Sequence, residues 1–138
     1  QEGDTICVGL IDIDSLKGIN DNFGHTEGDR AIVALARILR KTLRTTDIVC
    51  RLSGDEFFLA LKSCPMDVVE AIMERARMKV ERYNKAHENG YELGFSCGFY
   101  MAVAGDTGTK ALSIADEEMY KEKNRKHNLL DRISHVSR

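Results

Sequence analysis

Apolar positions along the chain fall into alternating short runs and helical stripes. Ile6-Cys7-Val8-Gly9-Leu10-Ile11 is an unbroken apolar run ending in Asp12-Ile13-Asp14, which predicts a strand buried on both faces with acidic residues at its carboxyl end. A short helix from about Ser15 to Asn22, capped by Gly24, comes next. A Gly-rich polar connection then leads into a longer helix. There Ile32, Leu35, Ala36, Leu39 and Leu43 recur at helical spacing, an amphipathic stripe. The runs Asp47–Leu52 and Phe57–Leu61 flank the polar step Ser53-Gly54-Asp55-Glu56, the pattern of a β-hairpin. After Pro65, Val69, Ile72, Met73, Ala76, Val80 and Tyr83 mark a second long helix from about Asp67 to His87.

Asn89-Gly90 signals a turn. Leu93–Val103 reads as a strand whose Gly94 and Gly98 point to a bulge or a close backbone approach. A loop at Gly105-Asp106-Thr107-Gly108 precedes a third helix, about Lys110 to Lys123, with Leu112, Ala115 and Met119 on one face. The basic tail from Asn124 is expected to add only a short terminal element. This order implies one α/β domain over 1–138, with a mixed, largely antiparallel central sheet flanked by helices.

Bulk properties narrow the function classes. With 138 residues, 43% apolar and 30% charged, the chain suits a single globular core. Twenty basic against 22 acidic residues leave a net charge of -2, so no basic field argues for nucleic acid. No apolar run approaches the roughly 20 residues of a membrane span. The start, Gln1-Glu2-Gly3-Asp4, carries neither Met nor a signal peptide and reads as part of a longer protein. Cys7, Cys50, Cys64 and Cys97 show no Cys-x-x-Cys pair, and the four His show no zinc spacing, which points to a reduced, cytoplasmic setting. Cys7, Cys50 and Cys97, in strand-like runs, are expected to be buried.

Candidate chemistry centres on the hairpin tip. Two adjacent carboxylates repel at close range and stabilise a turn poorly. They hold a divalent cation well if another carboxylate stands nearby, and Asp12 at a strand end is the obvious partner. Without such a partner, the step is an ordinary solvated acidic turn.

The residues Asp12-x-Asp14-x-x-Lys17-x-x-Asn20-Asp21-x-x-Gly24-His25-x-x-Gly28-Asp29, followed by Arg51-x-Ser53-Gly54-Asp55-Glu56-Phe57, resemble the GGDEF domain of diguanylate cyclases. Phe95-Ser96-Cys97-Gly98 and Ala115-Asp116-x-x-Met119-Tyr120-x-x-Lys123 match two further blocks of that family. The family's usual N-terminal helix is absent. The resemblance implies a palm-like fold that condenses two GTP into cyclic di-GMP and pyrophosphate, each 3′-hydroxyl attacking the α-phosphate of the other GTP. It implies Mg²⁺ or Mn²⁺ on Asp12, Asp55 and the Ile13 carbonyl, with Glu56 as base or additional ligand. By the same resemblance Asn20 and Asp29 recognise guanine. Leu16, Lys17, Ser53, Gly54 and Lys123 contact the nucleotide, and Arg44 and Asp47 form an inhibitory product site. A homodimer and an upstream sensor or dimerisation domain are the implied partners, and the parent protein could be membrane-tethered.

Two departures stand out. Ser53 replaces the signature's first Gly, and the family's Gly-Arg-Asn run after the lysine is replaced by Asn124-Arg125-Lys126-His127-Asn128. Arg125 is the nearest candidate for the family's phosphate-binding Arg, two residues early. These departures leave a second reading open, a catalytically inactive module that binds GTP or cyclic di-GMP.

Overall fold

The computed structural model describes residues 5–88 and 90–136, and side chains through 133. Residues 1–4 and Asn89 of the expected turn lie outside the described residues. Four strands, β1 (Ile6–Ile13), β2 (Ile48–Ser53), β3 (Glu56–Lys62) and β4 (Phe95–Ala102), form one sheet in the order β2-β3-β1-β4. Every pairing among them is antiparallel. The described residues also form four helices: α1 (Leu16–Phe23), α2 (His25–Thr42), α3 (Met66–Ala86) and α4 (Gly108–Val136).

β1 is central, which explains its unbroken apolar run: both of its faces are covered. Ile11 and Ile13 join Phe57, Leu59 and Leu61 of β3 and the stripes of α2 and α3 in the main core. On the other face Leu10 packs with Ala115 and Met119 of α4 and with Phe58. Gly98 makes that second layer possible. A Cβ there would lie 2.1 Å from the Ala115 carbonyl oxygen and 2.2 Å from the Met119 nitrogen, so α4 rests directly on the backbone of β4. The close approach expected at Gly98 is therefore made to a helix.

Four expectations change in detail. The predicted Gly-rich connection after α1 is helical. Gly24 alone, at φ 91°, separates α1 from α2, and its tolerance of that left-handed conformation lets the chain corner in one residue. The four-residue step of the hairpin shrinks to a two-residue tip, Gly54-Asp55, because Ser53 pairs with Glu56. Arg51 pairs with Phe57, leaving Leu52 as an extra residue in a bulge, and Arg51 Nε donates to the Ser53 carbonyl at 3.0 Å. The tail is no separate element but continues α4 to Val136, since Asn-Arg-Lys-His-Asn holds no helix-breaking residue. Finally, Cys50 is exposed, because β2 is an edge strand, whereas Cys7, Cys64 and Cys97 are buried and free.

Candidate active site

The carboxyl end of β1 meets the hairpin tip by register. Asp12 stands opposite Glu56 on β3 and Ser96 on β4. One residue on, Ile13 N–H donates to the Asp55 carbonyl at 3.0 Å, and Asp14 N–H donates to the Gly94 carbonyl at 2.9 Å. Main-chain bonds thus fix Asp12, Asp14, Asp55 and Glu56 at one end of the sheet.

Asp12 is buried, with 7% of its surface exposed. Lys123 Nζ from α4 donates to its Oδ2, while its Oδ1 is buried without a hydrogen-bond partner among the described residues. Burial pushes the Asp12 carboxyl up to about 6; Lys123 opposes that shift and Asp55 adds to it. Glu56 is also shifted upward, by burial first and then by the charges of Asp116 and Asp55, with Lys123 opposing. Asp14 accepts from Ser96 Oγ at 2.7 Å and from Lys126 Nζ at 2.9 Å. Lys126 also donates to the Phe95 carbonyl and lies 3.6 Å from Glu122.

Four of these participants, Asp116, Ser96, Glu122 and Lys126, are given no role by the sequence reading. The available signals were slight. Ser96 and Asp116 fall within the quoted family blocks, and Lys126 follows Lys123 at i,i+3, which places both on one helix face.

The remaining candidates lie around this centre or away from it. Leu16 and Lys17 open α1 directly after the turn at Ser15, which adopts φ 57°. Asn20 on α1 leans against α2 at Gly28, where a Cβ would come within 1.8 Å of Asn20 Oδ1. Asp29, one residue on, is exposed, so both candidates sit at the α1–α2 corner. Ser53 has an ordinary negative φ, since only Ser15 and Ser63 among the described non-Gly residues have positive values. Serine in place of the signature's first glycine therefore costs no backbone strain. Gly54 has open space around its Cβ position.

Arg44 and Asp47 pair with each other, Nη2 to Oδ1 at 2.8 Å and Nε to Oδ2 at 3.0 Å, and Arg44 Nη2 also donates to the Lys62 carbonyl at 3.2 Å. They lie at the other end of β2 from the tip, roughly 20 Å away at the usual rise per strand residue. Arg125 is not brought to the site. It lines a separate cavity of about 310 Å³ between α3, β4 and α4, with Met66, Glu118 and Glu122.

Comparison with known proteins decides the family. The model of the diguanylate cyclase GGDEF domain matches residues 1–129. The chain belongs to the GGDEF diguanylate cyclase family. It is 34% identical over 128 residues to the probable diguanylate cyclase DgcJ of Escherichia coli K12, covering 93% of this chain and 25% of DgcJ. The GGDEF domain of DgcB from Caulobacter crescentus, solved in complex with c-di-GMP, superposes with a TM-score of 0.80 at 28% identity, covering 88% of this chain and 74% of that one. The diguanylate cyclase SiaD of Pseudomonas aeruginosa, solved with its activator SiaC, gives a TM-score of 0.77 at 25% identity, covering 88% and 47%. The chain thus spans only a quarter of the length of DgcJ.

Among the described residues no group of three or more acidic, His or Cys side chains is gathered to hold a metal ion, so the side-chain donors open to a divalent cation are the Asp12 and Asp55 carboxylates. The partnerless, buried Oδ1 of Asp12 is a negative group lacking a compensating contact, a position that a cation satisfies. A site of one or two carboxylates suits Mg²⁺, whose remaining positions go to phosphates and water. Among the described residues no described helix is long and apolar enough to cross a membrane.

Proposed function

We propose that this GGDEF domain is a working diguanylate cyclase, converting two GTP into cyclic di-GMP and two pyrophosphates. The observation that carries the reading is the convergence of Asp12, Asp55 and Glu56 on one sheet end, with Lys123 reaching Asp12 from α4. Asp12, Asp55 and the Ile13 carbonyl would hold Mg²⁺ or Mn²⁺. Such an ion lowers the pKa of the attacking 3′-hydroxyl and neutralises charge on the phosphates.

The chain's own groups do the rest. Asn20 and Asp29 accept the N–H groups of the guanine edge, leaving an adenine with unpaired polar groups. Asp29 in place of a Ser favours two guanines in the product. Lys17, Lys123 and the free N–H groups at Leu16 receive the phosphates. Ser53 and Gly54 let the nucleotide approach the tip. Glu56, its carboxyl shifted upward, is suited to accept a proton from the hydroxyl. Each subunit holds one GTP, so turnover needs a homodimer, with the domain acting as one part of a longer protein under an upstream sensor or dimerisation segment. Arg44 and Asp47 offer a guanidinium fork and a carboxylate to the cyclic product as a feedback site.

Incubation of the full-length protein with GTP and Mg²⁺, with product separated by chromatography, tests the reading. No cyclic di-GMP from a folded, dimeric protein would defeat it. The second reading, a nucleotide-binding module without turnover, is favoured by Lys123 resting on the carboxylate that would hold the ion. Its signature is GTP binding without product.

A further inference from the structure

Successive residues on α4 are turned by about 100°, so Lys123, Lys126 and His127 share one face and Arg125 points nearly opposite. The contacts agree. Lys123 reaches Asp12 and Lys126 reaches Asp14, the two carboxylates at the end of β1. Between them lies a cavity of about 230 Å³ lined by Asp14, Ser15, Lys123, Lys126, His127 and Leu130. Arg125 lines the different cavity already described.

We infer that Lys126 is a triphosphate-binding residue of this domain, filling the role for which the family uses an arginine, and that Arg125 takes no part. The inference rests on the cyclase reading and adds to it a residue that discriminates triphosphate from monophosphate. Lysine carries three N–H donors. Two are used here, on the Asp14 carboxylate and the Phe95 carbonyl. Those two bonds tie the ammonium to the ends of β1 and β4 and hold it in place before any ligand arrives. Glu122 Oε1 stands 3.6 Å from the ammonium, beyond hydrogen-bond length, so the third donor remains for a phosphate oxygen. The side chain is 42% exposed, so an incoming phosphate can reach it without breaking either anchor. Ser15, at the turn into α1, completes the lining beside Asp14. A phosphate in this cavity would therefore meet Lys123 and Lys126 together. The anchoring also explains how a shorter, more flexible side chain than arginine can serve, because its conformational freedom is already spent.

The test uses titration calorimetry on the full-length protein in MgCl₂ with two probes, GMP and an α,β-methylene analogue of GTP that cannot react. Lys126→Met is expected to weaken the triphosphate analogue by about ten-fold or more, the usual loss for a charge-assisted hydrogen bond, and to leave GMP unchanged. Lys126→Arg should restore the analogue, and Arg125→Met should leave both ligands as they were. Lys126→Gln, which keeps donors for Asp14 and Phe95 but not the charge, should show the same split if the methionine variant fails to fold. Parallel weakening of both ligands would reduce Lys126 to a strut and overturn the inference, as would selective loss of the analogue in Arg125→Met. An unmodified protein that binds neither probe would overturn the cyclase reading as well. Tight analogue binding left untouched by every Lys126 variant would overturn this inference alone.

Discussion

Gly98→Ala is the smallest change that should disable the whole domain. Its added methyl would sit 2.1 Å and 2.2 Å from backbone atoms of α4 and 2.9 Å from a third, the Glu118 carbonyl carbon. None of these can rotate aside, as a side chain could. Restoring an ordinary 3.4 Å contact requires α4 to retreat by roughly 1.3 Å. That retreat loosens the packing of Leu10 against Ala115 and Met119, and overpacking of this kind costs about 1–3 kcal/mol. A domain with a total stability of about 5–15 kcal/mol survives such a loss. The site fares worse, because α4 carries Asp116, Lys123 and Lys126. Misplacing positioning groups by about 1 Å costs on the order of 100-fold in rate. Urea denaturation should therefore show a lowered midpoint with a folded baseline, while GTP turnover falls far more than stability does. Gly108→Ala is the control, since nothing lies within 4 Å of its Cβ position and its φ is unremarkable. An unchanged urea midpoint in Gly98→Ala would refute the close approach whatever the turnover.

Other perturbations separate the remaining parts of the argument. Asp12, raised from 3.8 to about 6 in the folded protein, binds more protons folded than unfolded between those values, so its contribution to stability falls as pH rises through that window. Asp12→Asn should accordingly raise the metal-free melting temperature above pH 6, by up to about 3 kcal/mol in stability, with no gain below pH 4. Added Mg²⁺ should stabilise the unmodified protein and not this variant. Asp55→Ala should abolish cyclic di-GMP formation while changing stability by less than about 1 kcal/mol, since its backbone carbonyl, not its side chain, holds the tip to Ile13. Gly28→Ala should displace Asn20 and raise the KM for GTP more than it lowers kcat, and an equal fall in kcat alone would count against Asn20 as a guanine contact. Arg44→Ala, which strips Asp47 of its bidentate partner, should relieve inhibition of initial rates by added cyclic di-GMP at a stability cost of about 1 kcal/mol.

Much of this was legible because local pattern and tertiary role coincide. The run Ile6–Ile11 is apolar throughout because β1 is the central strand, and Asp12 and Asp55 are visible because carboxylates following apolar runs have no packing purpose. The α1–α2 corner was not legible. Its glycines spell a loop, yet Gly24 turns the chain in a single residue and Gly28 makes room for Asn20. The length of α4 was hidden by the end of its apolar stripe at Met119. Beyond it the polar sequence neither favours a core nor forbids a helix. Ser96 and Lys126 were hidden for a different reason. They meet Asp14 across 82 and 112 residues of chain, and only the sheet register and the seat of α4 on Gly98 bring them there.

The bulge at Leu52 has a second effect, on how the molecule meets its own copies. Among the described residues β2 has one strand neighbour, β3, so its outer side is the kind of border onto which a foreign strand adds. Through most of its length β2 is short, exposed and partly apolar at Ile48 and Leu52. The extra residue interrupts the regular spacing of its main-chain groups, and Arg51 closes over the Ser53 carbonyl and places a charge on the border. Under the proposed cyclase mechanism two copies meet face to face, and an irregular border disfavours their meeting edge to edge instead. The same irregularity that bends the strand into the hairpin tip leaves β2 a poor template for a foreign strand.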